Sequence, residues 1–169
     1  MPGEIDWAAL AERLGGKRGD VPATARAALA EVLGTEAIEA AFERCLRRDP
    51  GHEVARAVLT WLRPVAAVKY GFGVYRQEGA LERRRRAVEL LAALGDASTA
   101  GWIGEFLADP DSSIQADGAA LLDHLLWNFL IEPDEVEFEL RSIREHGNAD
   151  VRARAAKIRA YLAARDYGE

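Results

Sequence analysis

Recurrent breaks in a helix-forming sequence constrain this chain more than any other feature. The segments that follow breaks of Gly, Pro, Asp or Asn begin near Pro22, Gly51, Gly79, Asp111 and Asn148, at intervals of 29, 28, 32 and 37 residues. Between the breaks, Ala, Leu, Arg and Glu dominate, and these residues favour helices. An interval of this length accommodates two helices and two turns, so the sequence predicts about five helix pairs.

Each predicted pair combines one of these segments with a shorter helix. The shorter helices are predicted at 4–14, 35–48, 65–77, 98–108 and 133–146. The stretch 68–75 contains two glycines and alternates like a strand, but the repeat spacing favours a helix there. A chain of 169 residues with 49% hydrophobic content can bury one sizeable core. We therefore predict an all-α chain that forms a single domain over residues 1–169.

The segments resemble HEAT repeats, whose motif is a turn with Asp, then Val or Ile, a polar residue, a small residue and a later Leu or Ile. The matching residues are Val151, Arg152, Ala155, Ile158 and Leu162 in the last segment, Ile114, Gln115, Gly118 and Leu122 in the fourth, and Val54, Ala55, Val58 and Leu62 in the second. The resemblance implies a right-handed α-solenoid of about five antiparallel helix pairs, a fold that fixes no function by itself.

Helical periodicity separates two faces of the segment 111–129. The predicted core face consists of Ile114, Gly118, Leu121, Leu122, Leu125 and Phe129. Asp123 and Trp127 lie opposite, with His124 on the flank. An outward Trp within a polar rim suits protein binding, whereas the alternative is that Trp127 packs beneath a neighbouring loop. Trp7, Trp61 and Trp102 are assigned to the core, Trp61 on one stripe with Val54, Val58 and Val65.

The charge distribution is uneven. Residues 102–139 contain ten acidic residues and no Lys or Arg, whereas the remaining residues carry 22 basic and 18 acidic side chains. This acidic block is either a solvated face, complemented by the basic last helix, or a surface for a basic partner. The run Arg83 to Arg86 spreads around a helix and cannot form one phosphate-binding face. With a net charge of −6, the chain is not expected to bind nucleic acid.

No catalytic or metal-binding motif is evident. The three histidines, His52, His124 and His146, lie on separate repeats, and no His or Cys pair has metal-ligand spacing. The Asp109-Pro110-Asp111 turn is interpreted as a helix stop followed by an N-cap. A DNA glycosylase built on HEAT-like repeats is a remote alternative, which the acidic block contradicts. We therefore predict no catalytic residue, no cofactor and no metal.

The single cysteine, Cys45, suits a reducing compartment, and no apolar stretch approaches the length of a membrane span. The prediction is a cytoplasmic, non-enzymatic protein-binding module. Small HEAT-like proteins of this kind include bacterial immunity proteins, and this resemblance implies neutralisation of a basic toxin, of which a nuclease is one kind. The alternative is a general adaptor that docks a peptide or helix. The predicted partner-binding residues are Asp117, Asp123, His124, Trp127, Glu132, Asp134 and Glu135.

Overall fold

The computed structural model describes residues 21–77 and 79–166, and the regular secondary structure in these ranges is helical, with no strand among them. The α-helices are α1 (Val21–Arg47), α2 (His52–Leu62), α3 (Val65–Arg76), α4 (Leu81–Leu94), α5 (Ile103–Leu107), α6 (Ser112–Trp127), α7 (Glu137–Glu145) and α8 (Ala149–Asp166). Two 3₁₀ helices, Ala97–Trp102 and Pro133–Val136, precede α5 and α7. The all-α prediction is confirmed. The predicted helix 4–14 and Trp7 lie outside the described residues.

The chain divides into two compact units, residues 1–70 and 71–169, and the boundary falls within α3. That helix includes the stretch 68–75, so the prediction of a helix there is confirmed. The prediction of a single domain over residues 1–169 stays a prediction. No helix within residues 21–77 and 79–166 has both the length and the apolar character of a membrane span.

Unit 1 has its core between α1 and α2. The buried residues of α1 include Ile38, Phe42 and Leu46, which recur every four residues and so lie on one face. Helix α1 is broken at Gly34, where φ is 77° and ψ is 159°. A side chain at that position would be strained, so glycine permits the break.

The assignment of the α2 stripe to the core is wrong. Val54, Val58 and Trp61 are exposed, and so is Val65 at the start of α3. Helix α2 instead buries Leu59 and Leu62 as it packs on α1. Successive residues of a helix point about 100° apart. With Leu59 and Leu62 facing α1, the side chains of Val54, Val58 and Trp61 therefore point toward solvent.

Unit 2 is centred on α6, which contacts α4, α5 and α8. Its buried residues are Ile114, Gly118, Ala119, Leu121, Leu122, Leu125 and Leu126. Gly118 allows the close approach of α5, because a Cβ there would lie 2.7 Å from the Cβ of Phe106. The predicted core face of α6 is therefore confirmed except at Phe129.

Phe129 is 64% exposed, so its assignment to the core is wrong. Helix α6 ends at Trp127, and Phe129 adopts a left-handed conformation with φ of 54°. The helical face therefore stops before this residue, and the side chain leaves the apolar row. Trp102, also assigned to the core, is half-buried and its ring stacks on that of Phe72 at 3.9 Å.

Candidate functional site

The residues predicted to bind a partner lie on α6 and on the turn that follows it. Asp117, Asp123, His124 and Trp127 belong to α6, and Glu132 precedes the 3₁₀ helix that contains Asp134 and Glu135. Helix α8 contacts α6 and adds the residues that complete this region. We call the group Asp123, Trp127, Phe129, Glu132, Arg154, Tyr161 and Arg165 the Trp127 surface.

Two exposed aromatic side chains form the centre of the Trp127 surface. Trp127, the last residue of α6, is 60% exposed, and its ring centroid lies 4.6 Å from that of Tyr161 on α8. Phe129 is exposed as well, and the guanidinium of Arg165 lies 4.9 Å from its ring centroid. The contacts with α8 hold both rings at the surface, where a cation against an aromatic face is favourable.

Two ion pairs flank these aromatic side chains. Arg154 Nη1 donates to Asp123 Oδ2 at 2.8 Å, and Arg165 Nη2 donates to Glu132 Oε2 at 2.8 Å. Arg154 and Arg165 both belong to α8. The basic last helix therefore complements part of the acidic block, as one of the two sequence interpretations expected.

Glu132 and Glu135 also have a local structural role. The backbone N–H of Glu132 donates to Glu135 Oε2 at 2.6 Å, and the Glu132 side chain accepts from the backbone at position 135. This reciprocal capping box satisfies backbone groups at the start of the 3₁₀ helix. Asp134, between them, is exposed.

His124 and Asp117 lie farther from the exposed ring of Trp127. His124 is half-buried, and its backbone carbonyl accepts from Asn128 Nδ2 at 2.7 Å at the end of α6. Asp117 is ten residues before Trp127, which corresponds to about 15 Å along a helix. Among the predicted residues, Asp123, Trp127 and Glu132 contact Arg154, Tyr161 and Arg165 of α8 and belong to the Trp127 surface.

The Asp109-Pro110-Asp111 turn forms a second cluster, which is structural. Asp111 caps α6 by accepting from the backbone N–H groups of Ser113 and Ile114. Arg85 pairs with Asp111, and this hydrogen-bonded guanidinium, together with the two N–H donors, lowers the pKa of the Asp111 carboxyl. The N-cap prediction at Asp111 is confirmed.

Asp109 is buried beside Asp111 and receives two side-chain donors. Arg84 Nη2 donates to Asp109 Oδ2, and the Tyr75 hydroxyl donates to the same oxygen at 3.1 Å. Burial and the neighbouring Asp109 carboxylate raise the pKa of Tyr75 to about 12. Two arginines of the 83–86 run therefore pair with the turn before α6.

Pairing with arginine neutralises much of the acidic block. At least six of its ten acidic residues have an arginine within 4.0 Å, namely Glu105, Asp109, Asp111, Asp123, Glu132 and Glu137. The net charge of the block in the sequence therefore overstates the negative charge open to a partner. Exposed carboxylates around the turn after α6 include Asp134 and Glu135.

The predicted binding residues did not include Arg154, Tyr161 and Arg165, although the basic last helix was expected to complement the acidic block. Each of these three residues contacts a residue 31 to 34 positions earlier, close to one repeat length. The intervals of 28 to 37 residues between segment starts in the sequence were the available signal. Within residues 21–77 and 79–166, no three His, Cys, Asp or Glu side chains are grouped to hold a metal ion.

Comparison with known proteins gives no family assignment. No protein-family model matches the chain, and neither a curated protein nor a solved structure matches it.

Proposed function

We propose that α4 to α8 form HEAT-like repeats of a right-handed α-solenoid. The contacts between alternate helices support this arrangement. Arg85 pairs with Asp111, and Gly95 lies against Leu121. The residue numbers of the contacting pairs increase together, so α4 and α6 run in the same direction. Contacts between α6 and α8 rise in the same way, from Asp123 with Arg154 to Trp127 with Tyr161. Alternate helices that run in one direction are the arrangement of a helical-repeat stack.

Short connections support antiparallel neighbours within each proposed pair. Four residues, 108–111, join α5 to α6, and three residues, 146–148, join α7 to α8. Helices joined by so few residues return alongside each other. The Phe106 side chain of α5 lies against Gly118 of α6 accordingly.

The chain is proposed to be a non-enzymatic protein-binding module that uses the Trp127 surface. The observation that carries this proposal is the exposure of both Trp127 and Phe129, which are two residues apart in sequence at the end of α6. Exposed aromatic anchors with a charged rim are typical of the energetically dominant part of a protein interface. The contacts with Tyr161 and Arg165 fix the rings before binding, so less conformational entropy is lost when a partner docks.

The proposed partner is a basic protein. Carboxylates of Asp134 and Glu135 lie exposed near the aromatic residues in sequence, and Asp123 and Glu132 could exchange an internal arginine for a cation of the partner. Complementary charge accelerates encounter and rejects wrong partners. In its most specific form, the proposal is a cytoplasmic bacterial immunity protein that neutralises a basic toxin, with a nuclease as one such toxin.

A pair of tryptophan variants tests the binding site. Trp127→Ala removes the anchor, whereas Trp61→Ala removes a tryptophan of almost equal exposure, 59% against 60%, in the other unit. A partner is captured with the full chain and identified by mass spectrometry, and its affinity for each variant is then measured. We expect Trp127→Ala to weaken binding by about 2 kcal/mol or more, roughly 30-fold, and Trp61→Ala to leave it unchanged. Equal affinities for both variants would exclude the Trp127 surface.

Salt dependence distinguishes the toxin-binding form from a general adaptor that docks a peptide or helix. Capture by charge predicts an association rate that falls steeply as ionic strength rises, since exposed charges are screened within about 10 Å at 0.1 M salt. An adaptor that uses mainly the aromatic residues predicts little change. In addition, Asp123→Lys is expected to weaken binding of a basic partner by about 2 kcal/mol or more.

A further inference from the structure

Phe129 lies at a backbone position that glycine usually occupies. At the end of α6, the N–H of Leu130 donates to the carbonyl of Leu125 at 2.9 Å. The N–H of Phe129 donates to the carbonyl of Leu126 at 3.2 Å. These two hydrogen bonds define a Schellman motif, whose left-handed residue is most often glycine because glycine has no Cβ. With φ of 54°, Phe129 adopts this conformation, so the backbone is strained there.

Packing of the Phe129 ring does not account for this strain. The side chain is 64% exposed, so its burial offsets little of the cost. Residues with strained backbones persist chiefly where the strained conformation serves binding or catalysis. An aromatic ring that a strained backbone holds at the surface therefore points to a ligand that contacts the ring.

A guanidinium of the chain itself lies against this ring. The guanidinium carbon of Arg165, in the last turn of α8, is 4.9 Å from the centroid of the Phe129 ring. Arg165 Nη2 also donates to Glu132 Oε2 at 2.8 Å. One guanidinium thus contacts an aromatic face and a carboxylate together. This combination suits arginine, because its planar cation stacks on aromatic rings and donates several hydrogen bonds to carboxylates.

The carboxylate of Glu132 is held in place and is accessible. It accepts from the backbone N–H of Glu135 in the capping box, which restricts the rotation of the side chain. The side chains of Glu132 and Arg165 are 53% and 33% exposed. Ion pairs with this exposure are weak, since both groups are well solvated when they separate. A guanidinium from outside the chain can therefore replace that of Arg165.

We propose that Phe129 and Glu132 form a binding site for an arginine side chain of the partner, and that Arg165 occupies this site in the free chain. The inference rests on the proposed function, because the site is part of the Trp127 surface, and it specifies arginine as the recognised residue of the basic partner. On binding, the guanidinium of the partner takes over the contacts with the ring and the carboxylate. Arg165 is then a competitor, which lowers the affinity according to the fraction of molecules with an open site.

The probe N-acetyl-L-arginine amide tests the site without the partner. Its binding to the full chain is followed by NMR, from the shift of the Glu132 backbone amide. We expect Arg165→Gln to bind the probe at least roughly ten-fold more tightly than the wild type, which corresponds to a site open in about one-tenth of wild-type molecules or fewer. Equal affinities of the two proteins, or no shift in Arg165→Gln, overturn the proposal.

N-acetyl-L-lysine amide tests the preference for a guanidinium. It carries the same charge as the arginine probe, but its ammonium is compact, strongly hydrated and not planar. We expect Arg165→Gln to bind it at least roughly three-fold more weakly than the arginine probe, because it loses the stacking contact with Phe129. Equal affinity for the two probes would mean that the site recognises charge alone and contradicts the assignment to arginine.

Arg154→Gln is the matched control for net charge. It removes one positive charge from the same helix, but its guanidinium pairs with Asp123 and not with Glu132. Because Arg165 still occupies the Phe129 site in this variant, we expect its affinity for the arginine probe to equal that of the wild type. A gain as large as that of Arg165→Gln would indicate a general electrostatic effect and would overturn the proposal.

Phe129→Gly in the Arg165→Gln background tests the ring. Glycine fits the left-handed position, so the double variant should keep the fold, which its melting temperature checks. We expect the gain in probe affinity to disappear, because no aromatic face remains for the guanidinium. A double variant that binds the probe as tightly as Arg165→Gln would exclude Phe129 from the site.

The captured partner separates this inference from the proposed function. If the Trp127 surface is not the interface, Trp127→Ala leaves the affinity for the partner unchanged, whatever the probe shows. If the interface is correct and the arginine site is not, Trp127→Ala weakens the partner, whereas Arg165→Gln does not bind it more tightly. We expect Arg165→Gln to bind the partner more tightly than the wild type does, since the competing guanidinium is absent. Equal or weaker binding contradicts the inference.

Discussion

Arg85 donates two hydrogen bonds to Asp111, the residue that caps the N-terminus of α6. The Nε atom donates to Oδ1 at 3.0 Å and Nη2 donates to Oδ2. The same carboxylate accepts from the backbone N–H groups of Ser113 and Ile114. The Asp111 carboxylate therefore links α4 to α6 and also accepts from free backbone N–H groups in the first turn of α6. A carboxylate has enough lone pairs to accept from both kinds of donor.

This arrangement predicts a pH dependence of stability. The pKa of Asp111 is lowered in the folded protein, first by Arg85, so its stabilising contribution is present above about pH 4 and is lost as pH falls through the lowered folded value. Arg85→Gln should reduce this contribution and make the loss of stability on acidification shallower. Urea melts of both proteins at several pH values between 6 and 2, as an approximate range, measure the difference. Parallel curves would contradict the linkage.

The raised pKa of Tyr75 predicts that the folded protein loses stability at alkaline pH. Its folded pKa is about 12, raised by burial and by Asp109, above the ordinary value of 10.0. The unfolded chain therefore loses this proton first, and the contribution to stability falls as pH rises from about 10 toward 12. Tyr75→Phe should lose less stability over that interval. Denaturant melts at pH 9 and pH 11, as approximate values, provide the comparison, and equal losses would exclude Tyr75 as the source.

Two glycines predict opposite effects of the same substitution. Gly118→Ala should destabilise the protein by about 1–3 kcal/mol, because the new Cβ would lie 2.7 Å from Phe106 Cβ. Gly104→Ala, in α5, meets no atom within 4 Å and should stabilise by up to about 1 kcal/mol through helix propensity. Thermal and denaturant melts measure both. Stabilisation by Gly118→Ala would show that the packing of α5 on α6 is looser than described.

Leu122 tests the register of α6. Its side chain is fully buried, and Leu122→Ala should reduce the free energy of unfolding by about 2–5 kcal/mol. Leu81, at the start of α4, is 42% exposed and serves as the control, since its truncation removes less buried area. Similar losses for the two variants in a denaturant melt would contradict the core described for unit 2.

Local sequence signals predicted the helices and their ends well. Asp111 was recognised as an N-cap because its carboxylate can accept free N–H groups in any helix that begins there. The stretch 68–75 was predicted helical despite Gly71 and Gly73, and it lies within α3. The membership of the α6 core, through Leu122 and Leu125, followed from the 3.6-residue period alone.

The sequence provided less information about which side chains pair between different helices. The acidic block suggested a large negative surface, yet five of its carboxylates pair with arginines 25 to 33 residues away, as in Arg84 with Asp109 and Arg165 with Glu132. Composition gives the number of charges, but their pairing depends on which helices lie side by side. Of the predicted site, Trp127 was correctly placed at the surface, and Tyr161 and Arg154 became part of it only through the packing of α8.

Within residues 21–77 and 79–166, the sequence by itself indicated the helices and the approximate positions of their ends, because capping, propensity and periodicity act over a few residues. Tertiary structure decided which apolar stripe is buried: α2 packs through Leu59 and Leu62, so Trp61 faces outward although its spacing fits a core equally well. It also decided that much of the acidic block is neutralised. Both outcomes depend on contacts between segments distant in sequence, and no local pattern encodes which segments meet.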